Sequence, residues 1–186
     1  MTDGGSAESF GRPPRGRRPA RVTDGRVRGR SWRAGFGAAT PREVAGFLIT
    51  LRPIVARAIE IRRSWIKELG LLFEEARQGN ITQVTGQAGR LGRDHVAAFR
   101  DVRWSAERQS PPDGCQEIHR ALMTWLDGLV SACEALIEVA NTGHMAGLKD
   151  AQRHVADARY AARRFNGEYA RLVAELRMIV RAARRR

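Results

Sequence analysis

The sequence lacks long apolar segments. No stretch approaches about 18 consecutive apolar residues, the length at which a helix can span a bilayer, so we predict no membrane-spanning segment. The basic N-terminus also lacks the apolar run of roughly 7–15 residues that a secretory signal requires. The period-2 alternation of half-buried β-strands does not occur either. These absences favour an all-α protein without a membrane association, which we expect to be cytoplasmic.

Lysine is nearly absent, although the chain is strongly basic. Only Lys67 and Lys149 among the 33 basic residues are lysines, and the formal net charge is +13. An arginine excess suits forked contacts with phosphate or carboxylate groups, although a GC-rich genome also produces one. The excess lies at the ends, since residues 1–40 hold nine arginines against three acidic residues and residues 181–186 hold four arginines. The 140 residues between them hold 20 basic and 17 acidic side chains, so the folding unit is nearly balanced.

Cysteine is scarce as well, with only Cys115 and Cys133 in the chain. They lie 18 residues apart on one predicted helix, which puts them on the same face but about 27 Å apart along its axis. The two thiols therefore cannot form a disulfide with each other. Free thiols within an apolar stripe indicate a reducing compartment, most simply a bacterial-type cytoplasm.

Apolar residues recur at spacings of three and four, as they do in amphipathic helices. This pattern predicts helices at about 41–78, 81–106, 112–140 and 145–184, and the last keeps a coiled-coil spacing for five heptads. Tight turns at Gly79-Asn80 and at Asn141-Thr142-Gly143 make the helices they join antiparallel neighbours. The predicted fold is an all-α, antiparallel up-down four-helix bundle.

The first helix has a clear start signal. Thr40 can cap the helix, Pro41 suits its first position, and Glu43 can complete a capping box. Pro53 falls within the apolar pattern and predicts a kink or a split of this helix. Residues 1–40 are rich in Gly, Arg and Pro and have no apolar periodicity, so we predict a disordered basic arm before a bundle of residues 41–186.

No histidine has the surroundings of a metal ligand. A di-iron bundle needs a Glu three residues before a His on each of two helices, and none of the four histidines has Glu or Asp at that offset. The paired-cysteine zinc pattern and the C-x-x-C-H haem pattern are absent too. Asp150, His154 and Asp157 share one helix face, but that face adjoins solvent. We therefore predict no metal site and no cofactor.

Three side chains keep alternatives open. His95 occupies an apolar position, where it is either a neutral imidazole hydrogen-bonded to a neighbouring helix or an acid–base or ligand residue. Cys115 lies in the first turn of a predicted helix, where the helix dipole can lower a thiol pKa, and His119 is its only local base. This pair is either catalytic or part of the packing. We predict no catalytic residue and favour a non-enzymatic protein.

The N-terminal arm carries the candidate nucleic-acid contacts. Basic and stacking side chains alternate there as they do in segments that bind single strands, and the candidates are Arg26, Arg28, Arg30, Trp32 and Arg33, with Phe36 beside them. Such a segment neutralises phosphates without sequence preference. Two alternatives stay open: the arm has no partner, or translation starts downstream and the residues before about Thr40 are not made.

The leading hypothesis is a non-enzymatic interaction or scaffold protein, self-associating through apolar surface left near Ile179 and residues 44–51. The first alternative is a nucleic-acid-associated protein that binds phosphates through its Arg-rich tails. The second is a small-ligand or metal carrier that uses the bundle core. Trp65, Trp104 and Trp125 could line an apolar cavity in such a carrier, but aromatic residues at helical spacing are typical of a packed core.

Overall fold

The structure is a computed structural model that describes residues 36–185 of the chain. Four helices follow one another in this part: α1 (Pro41–Gln78), α2 (Ile81–Glu107), α3 (Gln116–Thr142) and α4 (Ala146–Arg184). The described residues contain no β-strand. The predicted all-α antiparallel four-helix bundle is confirmed. None of these four helices combines the length and apolar character needed to cross a bilayer.

Helix α1 begins with the predicted capping box. The backbone N–H of Glu43 donates to the Thr40 hydroxyl (3.3 Å), and the Glu43 carboxylate accepts from the Thr40 backbone N–H (2.6 Å). The helix ends at Gly79, whose φ of 85° is in the left-handed region. Glycine adopts this conformation at little cost because it has no Cβ. Between these ends α1 runs without interruption through Pro53, so the helix is not split there. Ile49, whose carbonyl loses its usual i+4 donor at Pro53, is exposed, and water can replace that bond.

The segment before α1 belongs to the bundle, which corrects the predicted boundary. Phe36 is only 1% exposed and Ala39 is also buried, although both lie in the stretch that we predicted to be disordered. The Ala39 N–H donates to the Phe36 carbonyl (3.1 Å). A Cβ on Gly37 would lie 3.2 Å from the Cβ of Asp113, so this segment packs against the turn before α3. Residues 1–35 of the predicted arm lie outside the described part of the chain.

Helix α3 begins later than predicted. The pattern placed its start at about residue 112, but residues 113–114 form a turn and Cys115 is the N-cap. The Cys115 N–H donates to the Pro112 carbonyl (3.0 Å), which closes that turn. Gly114 has a φ of 79°, a left-handed conformation that cannot continue a right-handed helix. Pro111 and Pro112 therefore lie in the connection before α3 and not in the first turn of that helix.

The core is almost entirely hydrocarbon. Most residues of the apolar pattern that predicted the four helices are buried or half-buried. The exceptions are Ile81 and Ala183, which are exposed near helix ends. No polar or charged residue of the described part of the chain is buried. Trp104 is 57% exposed and stacks under the Arg108 guanidinium at 4.6 Å, so the prediction of a core position is wrong for this tryptophan. Trp65 and Trp125 are buried as predicted.

Small residues at the helix interfaces allow α2, α3 and α4 to approach one another closely. Gly92 of α2 faces the Cys133 carbonyl of α3, where a Cβ would lie only 2.6 Å from the oxygen. Gly128 of α3 faces Ala158 of α4 in a similar way, with 3.0 Å between the Cβ positions. Helix α1 packs along α2 but approaches α4 at few points. The bundle is therefore tight around α3 and open between its first and last helices.

Candidate functional site

A groove lies between α1 and α4, which approach each other at few points. It consists of two adjoining depressions of about 280 and 290 Å³ that share Val55, Ile59 and Asn166. We name this surface the α1–α4 groove; its lining residues are Leu51, Arg52, Val55, Ala56, Ile59 and Arg62 of α1, Trp125 of α3, and Arg159, Ala162, Arg163, Phe165, Asn166 and Tyr169 of α4.

The floor of the groove is apolar and largely aromatic. Leu51, Trp125 and Phe165 are buried beneath it. The rings of Trp125 and Phe165 lie 6.4 Å apart, and those of Phe165 and Tyr169 lie 6.1 Å apart, which forms a row of three rings. Ile59 remains 44% exposed above this row. The groove thus offers apolar surface that the bundle itself does not cover.

The rim of the groove is positively charged. Its charged lining residues are Arg52, Arg62, Arg159 and Arg163, and no acidic residue lines it. Within residues 36–185 none of these four arginines forms a salt bridge, whereas Arg57 and Arg164 nearby pair with Glu60 and Glu117. Partial burial, together with the neighbouring charge of Arg159, lowers the pKa of Arg62. Positive charge is therefore concentrated here without compensation among the described residues.

The His95 ring forms a hydrogen bond within its own helix. The ring is half-buried, and Nδ1 donates to the Leu91 carbonyl one turn earlier (3.1 Å). The bond to a neighbouring helix, one of the two alternatives left open above, is not the one found, because Nδ1 bonds to its own helix instead. A histidine held in this way stabilises α2 locally.

The Cys115 side chain is buried, and the His119 ring bonds to the backbone of α2. Burial raises the pKa of the Cys115 thiol to about 11, although the charge of Arg171 opposes this, so the dipole effect that the sequence suggested is outweighed. His119 Nε2 donates to the Ala106 carbonyl (3.0 Å), and its ring packs against Phe47 at 6.3 Å. His119 thereby joins α2 to α3. These are the contacts of packing residues.

The thiols are expected to react slowly in the folded protein. Burial also raises the pKa of Cys133 to about 12, so near neutral pH both thiols are protonated and shielded. Alkylation of Cys115 by iodoacetamide should be about a hundredfold slower in the native protein than in denaturant, because raising its pKa from 9.0 to about 11 lowers the thiolate fraction by that factor, and native Cys133 should react more slowly still. Stability should decrease as the pH rises from about 9 through 11, where the folded state resists ionisation of Cys115.

In the Cys115→Ser variant only Cys133 can be alkylated, so comparison with the wild-type protein assigns one alkylation rate to each thiol. Rapid alkylation of native Cys115 at neutral pH would contradict its assignment to the core.

The described residues bring no metal-binding cluster together. No group of three His, Cys, Asp or Glu side chains among them could hold a metal ion. Of Asp150, His154 and Asp157 on α4, Asp150 forms a salt bridge with Arg153 at 2.8 Å. Arg153 thus occupies a carboxylate that a metal would require.

The candidate nucleic-acid residues Arg26, Arg28, Arg30, Trp32 and Arg33 lie outside the described residues. Phe36, which we associated with them as a stacking side chain, is buried and is not available for stacking. At the other end of the chain, Arg181, Arg184 and Arg185 are exposed on the last turns of α4. Their positive charge lies beside the negative end of the helix dipole, which it stabilises.

A second apolar surface follows the last turns of α4. We name it the distal face of α4; it comprises Val173, Leu176, Arg177, Val180, Arg181 and Arg184. Ile179 itself is half-buried against the core, and most apolar residues of the 44–51 segment are buried, but Ile49 in that segment is exposed. Near Ile179 the exposed apolar groups are Met178 and Val180. Some apolar surface therefore remains at both places, and self-association through it stays a prediction. Three arginines flank Met178 and Val180, which opposes contact with the same face of a second copy.

Comparisons with family models, with curated proteins and with solved structures found no match for this chain. Its function is therefore inferred from its geometry. Of the surfaces described, the α1–α4 groove combines an apolar floor, which includes aromatic rings, with four arginines that form no salt bridge among the described residues.

Sequence reasoning missed this groove, although a signal was present. Val55, Ile59, Arg62 and Ile66 form a second stripe with helical spacing, one residue after the core stripe of α1. Val55 and Ile59 of this stripe line the groove, and Arg62 of the same stripe lies along its rim with the arginines of α4.

Proposed function

We propose that this chain is a non-enzymatic interaction protein that binds a protein partner in the α1–α4 groove. The observation that carries this function is the apolar floor with Ile59 left uncovered between two helices. Contiguous exposed apolar surface is unfavourable in water and marks interaction sites in soluble proteins.

The shape of the groove supports a macromolecular partner over a small ligand. Small-molecule sites are concave and bury about 70–90% of the ligand surface. The two depressions here are open along their length and lie between helices rather than inside the core. A ridge of side chains from another protein suits such a surface. The carrier function that requires a cavity in the bundle core has less support, because the core residues are closely packed.

The two buried thiols support a reducing environment for this function. Cys115 and Cys133 are both free; Cys115 is the N-cap of α3, and Cys133 lies 18 residues further along the same helix. We infer a bacterial-type cytoplasm, where a protein with unpaired cysteines stays reduced.

Site-directed photo-crosslinking tests the proposed function. With p-benzoylphenylalanine in place of Ile59, extracts of the cells that make this protein should yield a defined protein adduct. The matched control carries the crosslinker in place of Leu71, which is 68% exposed and lies outside the groove. Excess unlabelled wild-type protein should reduce the Ile59 adduct. Adducts no stronger at Ile59 than at Leu71 would refute a binding role for the groove.

The same experiment addresses nucleic-acid association through the Arg-rich tails. That alternative is supported by the exposed arginines at the end of α4 and by the arginines of residues 1–40. It predicts that the principal partner is lost when the extract is treated with nuclease. An Ile59 adduct that withstands nuclease favours the protein partner.

A further inference from the structure

The length of the α1–α4 groove matches a short helical segment. Its α1 wall runs over 12 residues, from Leu51 to Arg62, which is about 16 Å at the rise of an α-helix. The α4 wall from Arg159 to Tyr169 is of similar length. Three turns of a bound helix cover this distance, and such a helix presents anchors at positions i, i+4 and i+7.

The charge around the groove limits what its occupant can carry. Arg52 and Arg62 lie on one wall, Arg159 and Arg163 lie on the other, and no acidic side chain lines either wall. The proximity of Arg159 to Arg62 is already unfavourable, since it contributes to lowering the pKa of Arg62. A basic segment would add to this repulsion. The same groove of a second copy would meet it with arginine against arginine, which opposes a symmetric dimer through this face.

We propose, on the basis of the function proposed above, that the groove binds an acidic amphipathic helix of a partner protein. Its apolar side chains lie over Ile59, Phe165 and Tyr169. Its Asp or Glu side chains, at positions flanking the apolar stripe, bind the arginines of the two walls. Arginine suits this role because its planar fork can form two parallel hydrogen bonds with one carboxylate.

Two designed peptides serve as probes. Both are helices of about three heptads with leucines along one face, and the flanking positions are glutamates in one and lysines in the other. Fluorescence anisotropy of the labelled peptides with the full chain measures binding. The acidic peptide should bind and the basic peptide should not. Excess unlabelled acidic peptide should also reduce the protein adduct formed at Ile59.

A charge-reversal variant locates the binding. Arg159→Glu with Arg163→Glu should weaken binding of the acidic peptide by about tenfold or more and should create binding of the basic peptide. The matched control is Arg63→Glu with Arg177→Glu, which changes the net charge equally at exposed positions outside the groove. The control should retain binding. If the reversed variant does not fold, as judged by circular dichroism, Arg159→Gln with Arg163→Gln replaces it and should still weaken acidic-peptide binding.

Equal weakening in the variant and in its control would overturn the inference, because long-range attraction to a basic chain would then explain the binding. Light scattering that shows an oligomer dissociated by Arg159→Glu with Arg163→Glu would also overturn it, since the occupant would be a second copy. A specific protein adduct at Ile59 without acidic-peptide binding would refute the acidic helix and leave the proposed function standing. Loss of both the Ile59 adduct and the acidic-peptide binding would refute the proposed function and the acidic helix together.

Discussion

Replacing Trp65 with alanine is expected to lower the free energy of unfolding by about 3–5 kcal/mol. Trp65 is fully buried between α1 and α2, where its ring meets that of Phe99 edge-on, with 5.6 Å between centroids. The truncation removes this contact and leaves a cavity that neither helix can close without losing other contacts. Denaturant unfolding followed by circular dichroism measures the loss.

Trp104→Ala is the matched control for this prediction. Trp104 is mostly exposed and contacts the Arg108 guanidinium, so its truncation should change stability by less than about 1 kcal/mol. Trp65→Phe should fall between the two, because the ring is largely retained and the Trp65 indole Nε1, buried without a hydrogen-bond partner, is removed. Equal losses for Trp65→Ala and Trp104→Ala would contradict the assignment of Trp65 to the core.

Replacing Gly92 with alanine is expected to destabilise the protein by about 1–3 kcal/mol, although alanine is the better helix former. The new Cβ would lie 2.6 Å from the Cys133 carbonyl oxygen and 2.8 Å from Cγ1 of Ile137. A backbone oxygen cannot move aside as a flexible side chain can. The α2–α3 pair must therefore separate, and the thermal unfolding midpoint should fall.

Gly86→Ala, six residues earlier on the same helix, isolates the cost of this contact. A Cβ at Gly86 would approach nothing closer than the Arg90 guanidinium at 4.0 Å. The substitution should stabilise the protein by up to about 1 kcal/mol, because alanine loses less backbone entropy than glycine in a helix. The two variants should thus shift the unfolding midpoint in opposite directions. A stabilising Gly92→Ala would show that α2 and α3 are not held together at this point.

Local features of the fold were predictable because their causes are local. The capping box of Thr40 and Glu43 and the left-handed Gly79 depend on residues within one or two turns of each other. The failures had causes that local patterns do not contain. Phe36 was assigned to a disordered arm because no periodicity surrounds it, yet it is buried, and Gly37 beside it packs against Asp113, which is distant in the sequence.

The candidate site was less predictable than the fold. Cys115 illustrates the reason: its helix-terminal position suggested a lowered pKa, whereas burial raises it. Burial depends on what the neighbouring helices place over a residue, and the spacing along one helix does not specify it. The groove arginines belong to two helices about 100 residues apart, so only their packing brings them to one surface.

By itself the sequence determined four amphipathic helices, their turns and most of the inward-facing side chains, because periodicity and capping act over a few residues. The tertiary structure decided that α1 and α4 approach each other at few points, that Gly92 lies in close contact with α3, and that four arginines from two helices line one groove. These properties arise from the distances between helices, and those distances depend on the side chains of every packed pair at once.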